Sequence, residues 1–216
     1  MLPNRRTDRQ SLREVEGLRA LSASQSSSDA ISMASMDDSK FSSPLFFFVG
    51  NYFVTCFIIG LVAAVISLAK KPKPLRISGV SEALFSYYLL FAVGINNLIN
   101  FVFHVFFGDI AAKFIGWENS PFQAEVGFAS LGVGIAGVLA FKASLPFRFA
   151  TLIPPWCFSL GAAGGHVYQM IVAHNFSPGN VGLVLPIDIL MPIVGFVFLW
   201  LSYKHPRPET GYRKLT

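Results

Sequence analysis

The chain has 216 residues, 53% of them hydrophobic and only 13% charged, with 22 Phe, a net charge of +5 and a mean hydropathy of +0.53. A soluble domain carries about 25% charged residues, so a chain this poor in charge cannot clothe its own core in water. The positive balance does not point to nucleic acid, because the basic residues flank long uncharged runs, which is the pattern of membrane topology.

In chain order, residues 1–43 form a Ser- and Arg-rich tail without sustained periodicity, expected to be disordered, with "SLREVEGLRAL" as a short amphipathic stretch. Five apolar runs follow, at about 45–69, 83–107, 122–141, 147–171 and 181–203. Each reaches the roughly 20 residues that a helix needs to cross a bilayer, and no ten-residue alternation of a β-barrel is present. The expected fold is therefore all-α: a polytopic membrane helix bundle of about five transmembrane helices over 44–204, ending in a short basic tail at 205–216. "GDIAAKFIGWENS", 108–120, reads as a short interfacial helix with Trp117 at headgroup depth. Pro154 and Pro155 predict a kink or a helix start. Cys56 and Cys157 lack metal-type spacing and read as buried small apolar residues.

Lysine and arginine set the expected orientation. Lys70, Lys71, Lys73 and Arg76 follow the first run, Lys142 and Arg148 lie between the third and fourth, and Lys204, Arg207, Arg213 and Lys214 follow the fifth. Five spans place all three groups on one face, so the positive-inside rule puts the N-terminus outside and the C-terminus in the cytoplasm. Translocating a 43-residue tail with five arginines is awkward, and "MDDSKFSSPLFFF" suggests Met36 as an alternative start to Met1. An organellar presequence is a third reading of the tail, opposed by Asp8, Glu14 and Glu16.

The second run, "FAVGINNLINFVFHVFFGD", carries Asn96, Asn97, Asn100 and His104 within about a 100° sector of a helical projection. Glu82 and Ser86 fall in the same sector. Polar groups facing hydrocarbon would each cost several kcal/mol, so this stripe is expected to face other helices. In the third run Glu125 shares a face with Ala129, Gly132, Ala136 and Ala140, a small-residue face suited to close packing. In the fourth, His166 lies with Ser159, Ala162, Ala163, Gln169 and Met170; in the fifth, Asp188 lies with Pro192 and Gly195. The topology sets Asn97, Asn100, His104, Glu125, His166, Gln169 and Asp188 in the outer half of the bilayer as one candidate polar cluster. Amides at such places usually tie helices together, whereas intramembrane ionisable groups are functional candidates by default.

The run "FHVFFGDIAAKFIGWENSPFQAEVGFASLGVG", with "FRFAT" and "GAAGGHVYQ" downstream, resembles a family of small multi-pass bacterial inner-membrane proteins of unknown function. The likeness covers roughly 80–200 and rests on His104, Gly108, Asp109, Gly116, Trp117, Ser120, Pro121, Phe122, Gln123, Glu125, Gly127, His166 and Gln169. It implies a bacterial plasma membrane location and carries no activity, cofactor or substrate with it. Three functional classes follow. The first is an accessory subunit of a larger complex. The second is a redox protein associated with metal, haem or quinone, with His104, His166 and Glu125 as metal-ligand candidates. The third is a proton-coupled small-solute transporter using Glu125 and Asp188. The expected partners are the lipid bilayer and either other proteins or a second copy of the chain, with no nucleic acid.

Overall fold

The computed structural model describes residues 50–207, and every element below lies in the unit that begins at Asn51. The tail 1–43, the Met36 start and residues 208–216 lie outside the described residues. All regular structure among the described residues is helical. In chain order the helices are α1 (Tyr52–Ala69), α2 (Ile77–Phe106), α3 (Gly108–Ile115), α4 (Phe122–Ala140), α5 (Leu145–Val172), α6 (Pro178–Val181) and α7 (Val184–Lys204).

The five expected runs become the five long helices. Four of them, α1, α2, α4 and α6–α7 taken together, are long and apolar enough to cross a membrane. α5 departs from the expectation of five equivalent spans. Its 28 residues would reach about 42 Å, but Arg148, three prolines, His166 and Gln169 dilute its apolar character. Ser144 precedes it in extended conformation and Pro146 occupies its first turn, where a missing N–H is harmless. The helix then runs unbroken through Pro154 and Pro155, so neither starts it.

Consecutive long helices run in opposite directions. Ser67 and Lys71 at the end of α1, Glu82 near the start of α2, Lys142 after α4 and Arg207 after α7 line one pocket, and Arg148 at the start of α5 binds Glu82. At the opposite end, Tyr52 of α1 bonds Asn100 of α2, and His104 of α2 bonds Gln123 of α4. The three basic segments of the sequence thus share one end.

α2 is the hub. Its first half supplies Phe85, Tyr88, Leu89 and Val93 to the buried core, with Ala140 of α4 and Leu152 of α5. Tyr88–Ile95 is a π-helical segment within it. Here the backbones of α2 and α4 nearly touch: a Cβ on Gly137 would lie 2.6 Å from the Gly94 nitrogen, and one on Gly94 would lie 2.9 Å from the Val138 nitrogen. Gly134 abuts Leu98 and Gly127 abuts Val105 in the same way. The packed face of α4 is therefore Gly127, Ser130, Gly134, Gly137 and Ala140. That corrects the expected face: Ala129 and Gly132 are exposed, and only Ala140 belongs to both sets. α4 carries two small-residue stripes, and composition alone does not say which one a neighbour covers. α1 docks with Cys56, Gly60, Ala64 and Leu68, one residue per turn, and exposes Ile58, Ile59, Val62, Val65 and Ile66 on the other side. Cys157, expected to be buried, is exposed, and both cysteines are free.

The two stripes of α4 give a direct comparison. Gly137→Leu should drive a side chain into the α2 backbone and destabilise the fold by about 1–3 kcal/mol or more, as overpacking does. Gly132→Leu has no atom within 4 Å of its new Cβ and should leave stability unchanged. Thermal unfolding of the two variants in detergent tests this, and equal midpoints would contradict the α2–α4 contact.

Candidate functional site

The end that carries Tyr52, His104 and His166 holds two polar groups of residues. The first spans α1, α2 and α4. Asn100 donates to the Ser130 hydroxyl at 2.8 Å and accepts from the Tyr52 hydroxyl, while Ser130 donates to the Val126 carbonyl at 2.8 Å. His104 Nδ1 lies 2.6 Å from Gln123 Oε1. Asn97 bonds back to the Val93 carbonyl of its own helix at 2.8 Å. These residues fasten three helices where bulk water is scarce.

The second group spans α5, α6 and α7. His166 is 5% exposed and Asn180 is fully buried. His166 Nδ1 is 2.7 Å from Asn180 Oδ1, while the Asn180 amide donates to the carbonyls of His166 at 3.1 Å and Asn175 at 2.9 Å. With the amide nitrogen committed to two carbonyls, Oδ1 faces the imidazole, so Nδ1 must be the donor. On the other side of the ring, Nε2 stands 3.6 Å from Asp188 Oδ2. That oxygen is buried and has no hydrogen bond, and Ser159 is a further neighbour of the carboxylate. Trp117 lies against the imidazole at 5.8 Å between ring centroids.

Local sequence explains how this group is held. α3 ends at Gly116, whose φ of 77° is readily adopted only by glycine. Bonds from the Gly116 N–H to Lys113 and from the Trp117 N–H to Ala112 close the turn and aim Trp117 at His166. Asn175 then donates to the Ile115 and Gly116 carbonyls at 3.0 and 3.2 Å, which ties the α5–α6 loop to the end of α3. Pro178 starts α6 and places Asn180 beneath the histidine.

The expected single cluster is thus divided. Asn97, Asn100 and His104 belong to the first group, and His166 and Asp188 to the second. Gln169 is half-buried, and its backbone carbonyl receives the Ala173 and Asn175 N–H groups. Tyr52, whose hydroxyl is bonded to Asn100, belongs with the first group. Glu125 does not join either. It is exposed on the outward stripe of α4, because the inward stripe is the one that begins at Gly127. The ligand set His104, His166 and Glu125 is therefore not assembled: each imidazole Nδ1 is taken by a different amide, and Glu125 points away. Among the described residues no three His, Cys, Asp or Glu side chains are grouped to hold a metal ion.

The opposite end holds a network that the sequence reading did not find. Arg148 is 2% exposed. It grips Glu82 through two bonds, at 2.8 and 2.9 Å, and donates to the Ser86 hydroxyl at 3.0 Å. It also donates to the Ala140 and Phe141 carbonyls at 3.0 and 2.7 Å where α4 ends, the first of which also accepts the Ala143 N–H. Its guanidinium lies 5.4 Å from the centroid of the Phe85 ring. Arg207 adds a second cation to Glu82 at 3.0 Å and reaches the Ala143 carbonyl at 3.0 Å. The signal was available: Glu82 and Ser86 are one turn apart, and Arg148 stands at the start of the fourth apolar run.

Removing Arg148 leaves Glu82 still paired with Arg207 but takes its donor away from the Phe141 carbonyl, and a polar group left unsatisfied costs about 1–3 kcal/mol. Arg148→Met should lower stability by that order. Arg148→Lys should recover only part of it, since an ammonium cannot reproduce the bidentate fork. Chemical denaturation in mild detergent measures both, and a lysine variant as stable as the native chain would show that charge alone suffices.

No curated protein and no solved structure matches this chain. A family of unknown function, DUF6790, matches residues 50–208, which takes in every helix described above, and the chain belongs to that family.

Proposed function

We propose that this protein is a five-span integral membrane protein that holds and exchanges a proton at the His166–Asp188 pair. The observation that carries the proton reading is the arrangement around the imidazole. Nδ1 is committed as a donor to Asn180, so a neutral ring would turn the Nε2 lone pair toward the Asp188 carboxylate. Two acceptors facing each other in a buried place repel, and one proton relieves the conflict. That proton sits on Nε2 as an imidazolium paired with a carboxylate, or on Asp188 as a carboxylic acid facing the imidazole. Either way the pair stores one proton.

The membrane reading is supported by four helices long and apolar enough to span and by the gathering of basic residues at one end. Lys71, Lys142, Arg148 and Arg207 meet there through contacts that owe nothing to the charge rule. The positive-inside rule makes that end cytoplasmic. α5 completes the bundle as the fifth crossing, its one buried arginine neutralised at the cytoplasmic end, and the membrane is a bacterial plasma membrane.

Single-cysteine labelling of cells tests the topology. Positions 76, 145 and 207 should be shielded from a membrane-impermeant maleimide, while positions 118 and 177 should react. A position 177 shielded like position 145 would overturn the five-span arrangement.

The proton reading is tested in proteoliposomes carrying a pH-sensitive dye. Asp188→Asn and His166→Gln should each abolish proton exchange that the native chain supports, and Glu125→Gln should leave it intact. Nitrogen-15 resonances of His166 should show Nδ1 protonated throughout, with Nε2 unprotonated in Asp188→Asn. Unaltered exchange in Asp188→Asn would rule the pair out.

A further inference from the structure

A proton on the His166–Asp188 pair has two places to sit, Nε2 of the imidazole or the carboxyl group, and the surroundings treat these two differently. Three elements face the imidazole. Asn180 comes from α6, 2.7 Å from Nδ1, and Asp188, the ionisable group among them, comes from α7 with Oδ2 3.6 Å from Nε2. Trp117 follows α3 and sets its indole against the ring, the centroids 5.8 Å apart and the planes inclined by 39°. A carboxylic acid is poorly served here, because 3.6 Å is too long for its O–H to bond Nε2. Opposite charges attract across that gap without a hydrogen bond, and more strongly where water is scarce. The 2.7 Å bond to Asn180 lies at the short end of the N–H···O range, where charged donors fall. The indole acts in the same direction, since tryptophan is the aromatic side chain that attracts a cation best at about 6 Å.

The place of Trp117 is fixed from the same side as Asn180. Gly179 of α6 has no side chain, and a Cβ there would lie 2.6 Å from the Phe114 carbonyl oxygen, so α3 and α6 meet backbone to backbone. Asn180 is the next residue after Gly179, and Trp117 stands three after Phe114. One contact between α3 and α6 thus sets both the amide and the indole around His166. An indole that served only as an interfacial anchor would have no need of a partner 5% exposed. We propose that the stored proton resides on Nε2 of His166 as an imidazolium, and that Trp117 is the positioning residue that keeps it there. An arriving proton is bound by the Nε2 lone pair, Asp188 stays ionised, and the pair is neutral as a whole. This rests on the proton reading above and adds where the proton lies and what holds it.

The test is nuclear magnetic resonance of the purified full chain in detergent, with nitrogen-15 in histidine and carbon-13 in the aspartate carboxyl groups, followed over pH. In the native chain both ring nitrogens of His166 should carry protons while the Asp188 carboxyl resonance keeps its ionised position. A cation beside a partly buried indole gains about fivefold in affinity, so Trp117→Leu should lower the proton affinity of His166 about fivefold. Trp117→Phe, with a weaker ring face, should lower it about twofold. Nδ1 should stay protonated in both variants, which shows that Asn180 still holds the ring. Trp200→Phe, at the other end of the bundle, should leave the affinity unchanged. Native affinity in both Trp117 variants, or in Trp117→Phe where the leucine variant does not fold, overturns the role given to Trp117. A proton found on the Asp188 carboxyl group overturns the inference and leaves the proton reading standing. A pair that takes up no proton at any pH sinks both.

Discussion

A guanidinium group with 2% exposure must find acceptors inside the protein, and the way Arg148 finds them organises one whole end of the bundle. Every nitrogen of its fork is bonded: Nε to Ala140, Nη1 to Glu82, Nη2 to Glu82, Ser86 and Phe141. These partners lie on α2 and at the end of α4, while the arginine itself belongs to α5. Arg207 brings the segment after α7 to the same carboxylate. The stretch 140–143, where α4 gives way to the next helix, is held by two arginines through its carbonyls instead of by water. A buried ion pair is weak evidence for stability on its own. Here the same groups also satisfy helix-end carbonyls, so the network fixes which helix ends meet.

Between the two ends the bundle is held by proximity. Gly94 and Gly137 let α2 and α4 approach until backbone meets backbone, at the level of the π-helical segment. The bare Gly195 of α7 leaves room for the Tyr88 hydroxyl and the Trp156 indole, which lie within about 3 Å of where a Cβ would stand, and Tyr88 donates to the Met191 carbonyl at 2.9 Å. In hydrocarbon, where helices gain little from burying apolar surface against each other, contact of this kind and interhelical hydrogen bonds supply the association. The large side chains that α1 turns outward are the complement of this arrangement: they stand exposed on the outside of the bundle and leave the docking face of α1 mostly to small residues.

The polar residues of the other end divide by what their neighbours allow. Asn100 and His104 are each answered by a group of matching capacity, a hydroxyl pair and a glutamine, and are structural in effect. His166 is answered on one side by an amide whose orientation is fixed, and on the other by a carboxylate with an unbonded buried oxygen. That asymmetry separates a fastening from the pair proposed above to hold a proton.

Several features were legible in the sequence because they depend on composition and local period. The all-helical bundle, the five long helices, the short α3 ahead of Trp117, and the inward face of α5 bearing Ala163 and His166 follow from runs of apolar residues and a 3.6-residue repeat. Membership of a family of unknown function was also legible, from residues such as Gly116, Trp117 and His166. The choice between the two small-residue stripes of α4 was not, since Ala129–Gly132–Ala136 and Gly127–Gly134–Gly137 are equally apt to pack. Only the position of α2 decides between them, and it turns Glu125 outward. A projection at constant 100° also fails across Tyr88–Ile95, where π-helical winding separates the Glu82–Ser86 face from that of Asn100 and His104. The partners that matter most lie far apart in the chain: Arg148 with Glu82, 66 residues away, and Arg207 with the same carboxylate, 125 residues away. Local sequence determines which residues can be buried. Which buried groups meet is decided by packing, because hydrogen bonds across 66 or 125 residues leave no local period to read.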